Sequence, residues 1–72
     1  MTGRPVKHSL TLKGHRTSVS LEAEFWEAFQ GFAQARGVSV NELAAEVDAG
    51  RIGDAGLASA IRVWVLRALT AR

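Results

Sequence analysis

The sequence predicts an α+β, mostly helical domain: a short β-ribbon that runs into two capped helices, followed by a third, C-terminal helix. Three observations carry this expectation. The stretch Arg16-Thr17-Ser18-Val19-Ser20-Leu21-Glu22 alternates polar and apolar residues, Ser39-Val40-Asn41-Glu42 has the form of a capping box, and the last fifteen or so residues are apolar on nearly every side of a helix. With 72 residues and no cysteine, the chain is near the size at which one core supplies only about 3–5 kcal/mol, and association between copies is the expected staple.

Residues 1–6, with Arg4, Gly3 and Pro5 and no periodicity, read as a flexible basic arm. In the alternating stretch, period-2 geometry puts Thr17, Val19 and Leu21 on one face and Arg16, Ser18 and Ser20 on the other. An isolated strand is unstable in water, and its obvious mate is the same strand of a second subunit. A second alternation, Ser9 to Lys13, has its apolar residues Leu10 and Leu12 in the opposite phase. Two solutions restore one apolar face. A hairpin with Gly14-His15 as a two-residue loop pairs Leu12 with Thr17 and Leu10 with Val19. A bulge at Gly14 in one longer strand does the same.

The first helix is expected over Glu22 to Arg36, with Phe25, Phe29 and Phe32 as a core stripe beside Trp26 and Ala33. Glu24, Glu27, Gln30 and Gln34 face solvent, and Gly37 suits the left-handed position that ends a helix. The second helix opens at Ser39, with Val38 placed to pack on Leu43, and buries Val40, Leu43, Ala44 and Val47 before Gly50 ends it. After a glycine-rich connection, with Asp54 or Gly56 as cap, the third helix is expected from Ala55 to Thr70. Leu57, Ile61, Trp64, Val65 and Ala68 make one stripe, while Val63, Leu66 and Leu69 lie outside it. A helix with two apolar sides needs two surfaces to bury against, the second being a partner subunit. The expected dimer interface is therefore Val19, Leu21, Leu57, Ile61, Trp64 and Val65.

Charge is segregated along the chain. Residues 1–20 carry Arg4, Lys7, Lys13 and Arg16 and no acid, whereas residues 21–50 carry six acids against Arg36 alone. A basic strand region backed by acidic helices suits a protein with one anion-facing side, because phosphate attraction follows local charge.

Other chemistries lack their residues. His8 and His15 have no carboxylate or cysteine close in sequence, so no metal site is expected, and Asp48 and Asp54 read as caps. No nucleophile motif or phosphate-binding glycine loop is present, so neither an enzyme nor a cofactor is expected, and no small-molecule ligand is evident. The N-terminus has no apolar signal region, and the apolar C-terminal run is broken by Arg62 and Arg67; with the absence of cysteine, this leads to an expectation of a cytoplasmic protein without a membrane partner.

The order and spacing of RTSVSLE, the aromatic helix and GVSVNEL resemble the ribbon-helix-helix superfamily, over about Arg16 to Asp48. The resemblance, to short bacterial proteins of this type, implies an intertwined homodimer in which each subunit gives one strand to an antiparallel ribbon that enters the DNA major groove. It implies a transcriptional regulator whose partners are double-stranded DNA and a second copy of itself. Arg16, Ser18 and Ser20 would face the bases. Lys13 would contact phosphate, and Ser39, Val40 and Asn41 would hold a phosphate at the positive end of the second helix. Residues 7–72 would form the domain, which departs from the family in its N-terminal strand and third helix. If that strand forms a hairpin, the dimer sheet has four strands at about 4.8 Å spacing, too wide for the usual fit in a groove about 12 Å across. A second class of function keeps the fold as a dimerisation or protein-interaction module that does not read DNA.

Overall fold

The computed structural model describes residues 3–71. Two strands, β1 (Val6–Leu12) and β2 (His15–Leu21), precede three helices, α1 (Ala23–Arg36), α2 (Val40–Ala49) and α3 (Leu57–Thr70). Val6, expected in the arm, is the first residue of β1, and Met1 and Thr2 of that arm lie outside the described residues.

The hairpin alternative holds, with a different loop. β1 pairs antiparallel with β2 in the register Leu12↔His15, Leu10↔Thr17, His8↔Val19 and Val6↔Leu21, so the two-residue loop is Lys13-Gly14 and not Gly14-His15. Both registers keep the apolar residues on one face. What selects between them is the turn: Lys13 and Gly14 have φ of 52° and 83°, the pair of left-handed residues of a type I′ turn, whose twist matches that of the strands. Glycine takes the second central position, where the favoured Asn-Gly pairs also place it. The mate of β2 is thus a strand of its own chain.

Leu10, Val19 and Leu21 of the inner hairpin face are buried against the helices. Thr17, expected on the core face, does lie on that side but is exposed. It stands near the hairpin tip, above a cleft of about 500 Å³ that also borders Leu12, His15, Ala45 and Leu57.

α1 begins directly after β2, with Glu22 in extended conformation at its N-cap and no side-chain cap. The Glu22 carboxylate instead accepts hydrogen bonds from Arg62 Nε and Nη2 at 2.9 and 3.1 Å. Phe29 and Ala33 are buried, and Phe25, Trp26 and Phe32 pack at the margin of the core. Trp26 also stacks flat on His8, with centroids 3.9 Å apart. At the other end Gly37 adopts φ 70°, and the N–H groups of Gly37 and Val38 donate to the carbonyls of Gln34 and Ala33. That pair of bonds is the Schellman arrangement, and it satisfies carbonyls that the helix leaves unpaired.

Both bonds of the capping box form at the start of α2: Glu42 N–H donates to Ser39 Oγ at 3.0 Å, and Ser39 N–H donates to Glu42 Oε1 at 3.1 Å. Leu43, Ala44 and Val47 are buried. Beyond Gly50, Arg51 braces the connection by pairing with Asp48 at 2.8 Å and donating to the Ala55 carbonyl. α3 starts at Leu57 behind Gly56, two residues later than expected. Its residues Ile61 and Val65 are buried, and Trp64 stands edge-on to both Phe29 and Phe32. Val63, Leu66 and Leu69 remain exposed.

One core joins all five elements. Four residues expected at a dimer interface, Val19, Leu21, Ile61 and Val65, are inside it. Leu57 and Trp64, the other two, are half-buried on the same core. Within one chain, β1 and the three helices bury Val19, Leu21, Ile61 and Val65, while Leu57 and Trp64 keep part of their surface open.

Candidate nucleic-acid interface

The period-2 geometry that buries Leu10, Val19 and Leu21 forces the alternate residues outward. The outer face of the hairpin consequently carries Lys7, Ser9 and Thr11 from β1 and Arg16, Ser18 and Ser20 from β2, all exposed. Across the ribbon they pair as Lys7↔Ser20, Ser9↔Ser18 and Thr11↔Arg16. Two cations and four hydroxyls make up this surface, with no carboxylate. Arg16 lies diagonally over the ribbon, its Nη2 donating to Ser9 Oγ at 3.2 Å. Such a face offers donors and acceptors to base edges and positive charge to phosphates.

The three residues expected to face bases, Arg16, Ser18 and Ser20, therefore share one exposed face. Lys7, Ser9 and Thr11 on that face escaped sequence reasoning, since placing them beside Arg16, Ser18 and Ser20 depended on choosing the hairpin over the bulge. The signal was present in the Ser9 to Lys13 alternation, but it could not by itself say which strand β1 would meet.

Lys13 sits at the hairpin tip, exposed in the turn. The start of α2 comes to the side of β1, where Thr11 N–H donates to Asn41 Oδ1 at 3.0 Å. That bond satisfies an outward N–H on the edge of the sheet and fixes the helix start next to the ribbon. The capping box uses the Ser39 N–H and hydroxyl internally. What α2 presents to an anion is thus the N–H groups of Val40 and Asn41, the first two of the helix, together with the positive end of its dipole. Glu42, in the same turn, already places a carboxylate at this end and competes with any phosphate there.

The acidic residues Glu24 and Glu27 project from α1, which contributes no residue to the outer hairpin face. Among the described residues, no three metal-ligating side chains gather, and no helix is long and apolar enough to cross a membrane.

No curated protein and no solved structure matches the chain. A family model described as a ribbon-helix-helix domain matches residues 5–69, from the residue before β1 to the last turn of α3. The match takes in the N-terminal strand and the third helix, the two features by which the sequence was expected to depart from the family. With the hairpin and its following helices in place, the chain belongs to the ribbon-helix-helix domain family, a family of generally non-enzymatic DNA-binding regulators.

Proposed function

We propose that the protein is a cytoplasmic, DNA-binding transcriptional regulator that presents the outer face of its hairpin to the major groove. The observation that carries this reading is the acid-free polar face on which Arg16, Ser18 and Ser20 are exposed. A two-stranded ribbon is also a shape the major groove admits. In this reading Arg16, Ser18 and Ser20 face bases, and Lys13 with the Val40 and Asn41 N–H groups at the Ser39 cap lie against phosphates. The hydroxyls of Ser18 and Ser20 donate or accept with any base, so discrimination rests mainly on Arg16.

A homodimer remains part of the proposal, but its support has moved. The strand now has a mate in its own chain, so what favours self-association is the exposed apolar group Val63, Leu66 and Leu69 on α3. Each copy would then bring its own ribbon.

A gel shift on random duplex DNA at two salt concentrations tests the reading. Binding should weaken steeply with salt, and Arg16→Ala should lower the log–log salt slope by about 0.9 for each phosphate that Arg16 neutralises. If Arg16 reads guanine instead, the weakening concentrates at one base position. Glu27→Ala is the control and should bind like wild type. The competing reading, a protein-interaction module, draws on the same α3 side chains and on a groove of about 350 Å³ between α2 and α3 bordered by Ile52, Val63 and Trp64. The absence of any shift at low salt, with the protein folded, would decide for it.

A further inference from the structure

Alternation gives β1 an outward row of its own. Lys7, Ser9 and Thr11 are exposed along the strand, and Lys13 follows in the turn at its end. The row is therefore a pair of hydroxyls between two cations, and no carboxylate side chain occurs anywhere in residues 1–20. Lysine and hydroxyl side chains are among the groups that contact phosphate oxygens without regard to sequence. Ser9 Oγ accepts from Arg16 Nη2, which leaves its own O–H to donate to such an oxygen.

The position of β1 in the sheet decides what this row can meet. On one side the strand pairs with β2. On the other it meets the start of α2, where Thr11 N–H donates to Asn41 Oδ1 at 3.0 Å. Among the described residues β2 has no second strand beside it, so the edge open to another copy is that of β2, and β1 lies one strand further out. A sheet joined there has four strands, and at a spacing of about 4.8 Å its two β1 strands are about 14 Å apart. A major groove is about 12 Å wide. With the strands running along the groove, the two β2 strands lie over its floor and each β1 lies over one wall, where the phosphates are. The width that keeps the whole sheet from entering thus sets its outer strands on the backbone. The N–H groups of Val40 and Asn41, assigned above to phosphate, stand at the outer side of that same strand.

We infer that β1 is a phosphate-gripping flank of the ribbon, in which Lys7 and the hydroxyls of Ser9 and Thr11 hold the sugar–phosphate backbone along one wall of the groove and leave the reading of bases to β2. This rests on the proposed reading of the outer face as the DNA surface, and it gives β1 a separate task on that surface. Affinity that is indifferent to sequence then comes from β1 together with the start of α2. Sequence preference comes from the outward residues of β2.

The test is the salt dependence and the base preference of Lys7→Ala, measured on random duplex DNA and on a duplex selected from a random pool for tight binding. Arg16→Ala is compared with it, and Arg67→Ala on α3 is the control for bulk charge. All three side chains are exposed, and circular dichroism checks that each variant is folded. Lys7→Ala should bind both duplexes several-fold more weakly, and by the same factor, with the preferred sequence unchanged. Its log–log salt slope should be shallower by about 0.9 for each Lys7 in the complex, so by about 1.8 where two copies bind. Thr11→Val, which keeps the N–H that donates to Asn41, should weaken both duplexes in the same even manner. A Lys7→Ala loss confined to one base position would overturn the inference, since β1 would then be reading bases. An unaltered slope and affinity in Lys7→Ala, beside weakened binding by Arg16→Ala, would also overturn it while leaving DNA reading standing, as would a loss no larger than that of Arg67→Ala. If the folded wild-type protein binds neither duplex, the DNA reading itself falls.

Discussion

Glu22 and Arg62 meet through two hydrogen bonds across forty residues of sequence. The pair joins the β2–α1 corner to the middle of α3, and both side chains are largely withdrawn from solvent. Arg62 also lies over the Phe25 ring, 5.8 Å from its centroid. The third helix, which lies beyond the stretch that carries the sequence resemblance, is thereby tied to the strand that opens it.

The consequence is a pH dependence. The Arg62 hydrogen bonds, helped by the backbone N–H of Glu22 itself, hold the Glu22 carboxyl below its ordinary value of 4.5 against the opposing effect of burial. A carboxyl lowered on folding contributes stability above its unfolded value, and that contribution is lost as pH falls through the folded one. Glu22→Gln should therefore lower the urea midpoint at pH 7, and the gap from wild type should close as the pH falls below 4.5 and through the lowered folded value. A gap independent of pH would show that the pair is not its source.

Lys13 is the one non-glycine residue with positive φ among those described. An L-residue with a Cβ is disfavoured there, whereas asparagine tolerates the conformation and Asn-Gly is the preferred type I′ pair. Lys13→Asn should raise stability by about 0.5–1 kcal/mol in urea unfolding, and Gly14→Ala, at φ 83°, should lower it by about 1 kcal/mol or more. In a gel shift the same Lys13→Asn protein should show a shallower salt slope if the tip touches phosphate.

Trp64 fills the angle between Phe29 and Phe32, with ring centroids at 5.7 and 5.4 Å. It is only half-buried, so Trp64→Ala should cost about 3 kcal/mol, the low end of the range for large aromatic truncations. Phe29→Ala, at a fully buried position, should cost more, up to about 5 kcal/mol. Denaturant midpoints of the two variants check the order.

Ser39→Ala removes the hydroxyl that accepts the Glu42 N–H and should cost about 1 kcal/mol. Because the Ser39 hydroxyl is turned inward to the cap, DNA affinity at matched folded protein should fall only slightly. A large fall would mean that the hydroxyl swings out to phosphate.

How much of this was legible in the residues differs by element. The helices were, because their signals are local: the Phe25, Phe29 and Phe32 stripe, Gly37 and the Ser39–Glu42 box each fix their own few residues, and the structure shows each in place. The hairpin was legible only as one of two alternatives. Its loop was misplaced by one residue because lysine is an unusual first residue of a type I′ turn, and the two candidate registers satisfied the same apolar pattern. The dimer face was read from burial demand alone, and sequence cannot say whether Val19, Leu21, Ile61 and Val65 meet the same chain or another. Of the candidate surface, Arg16, Ser18 and Ser20 followed directly from alternation, while Lys7, Ser9 and Thr11 required knowing which strand pairs with which.

The tight turn at Lys13-Gly14 joins two strands of separate sequence, and this changes how the surface can vary over descent. Where two identical subunits each supply a strand, one codon change alters two places on the sheet, and only half of its outward side chains are free to differ. Here each of the six outward residues is specified by its own codon. Lys7 can change while Arg16 stays, so the charge and hydrogen-bonding groups of one strand can drift while those of the other are kept.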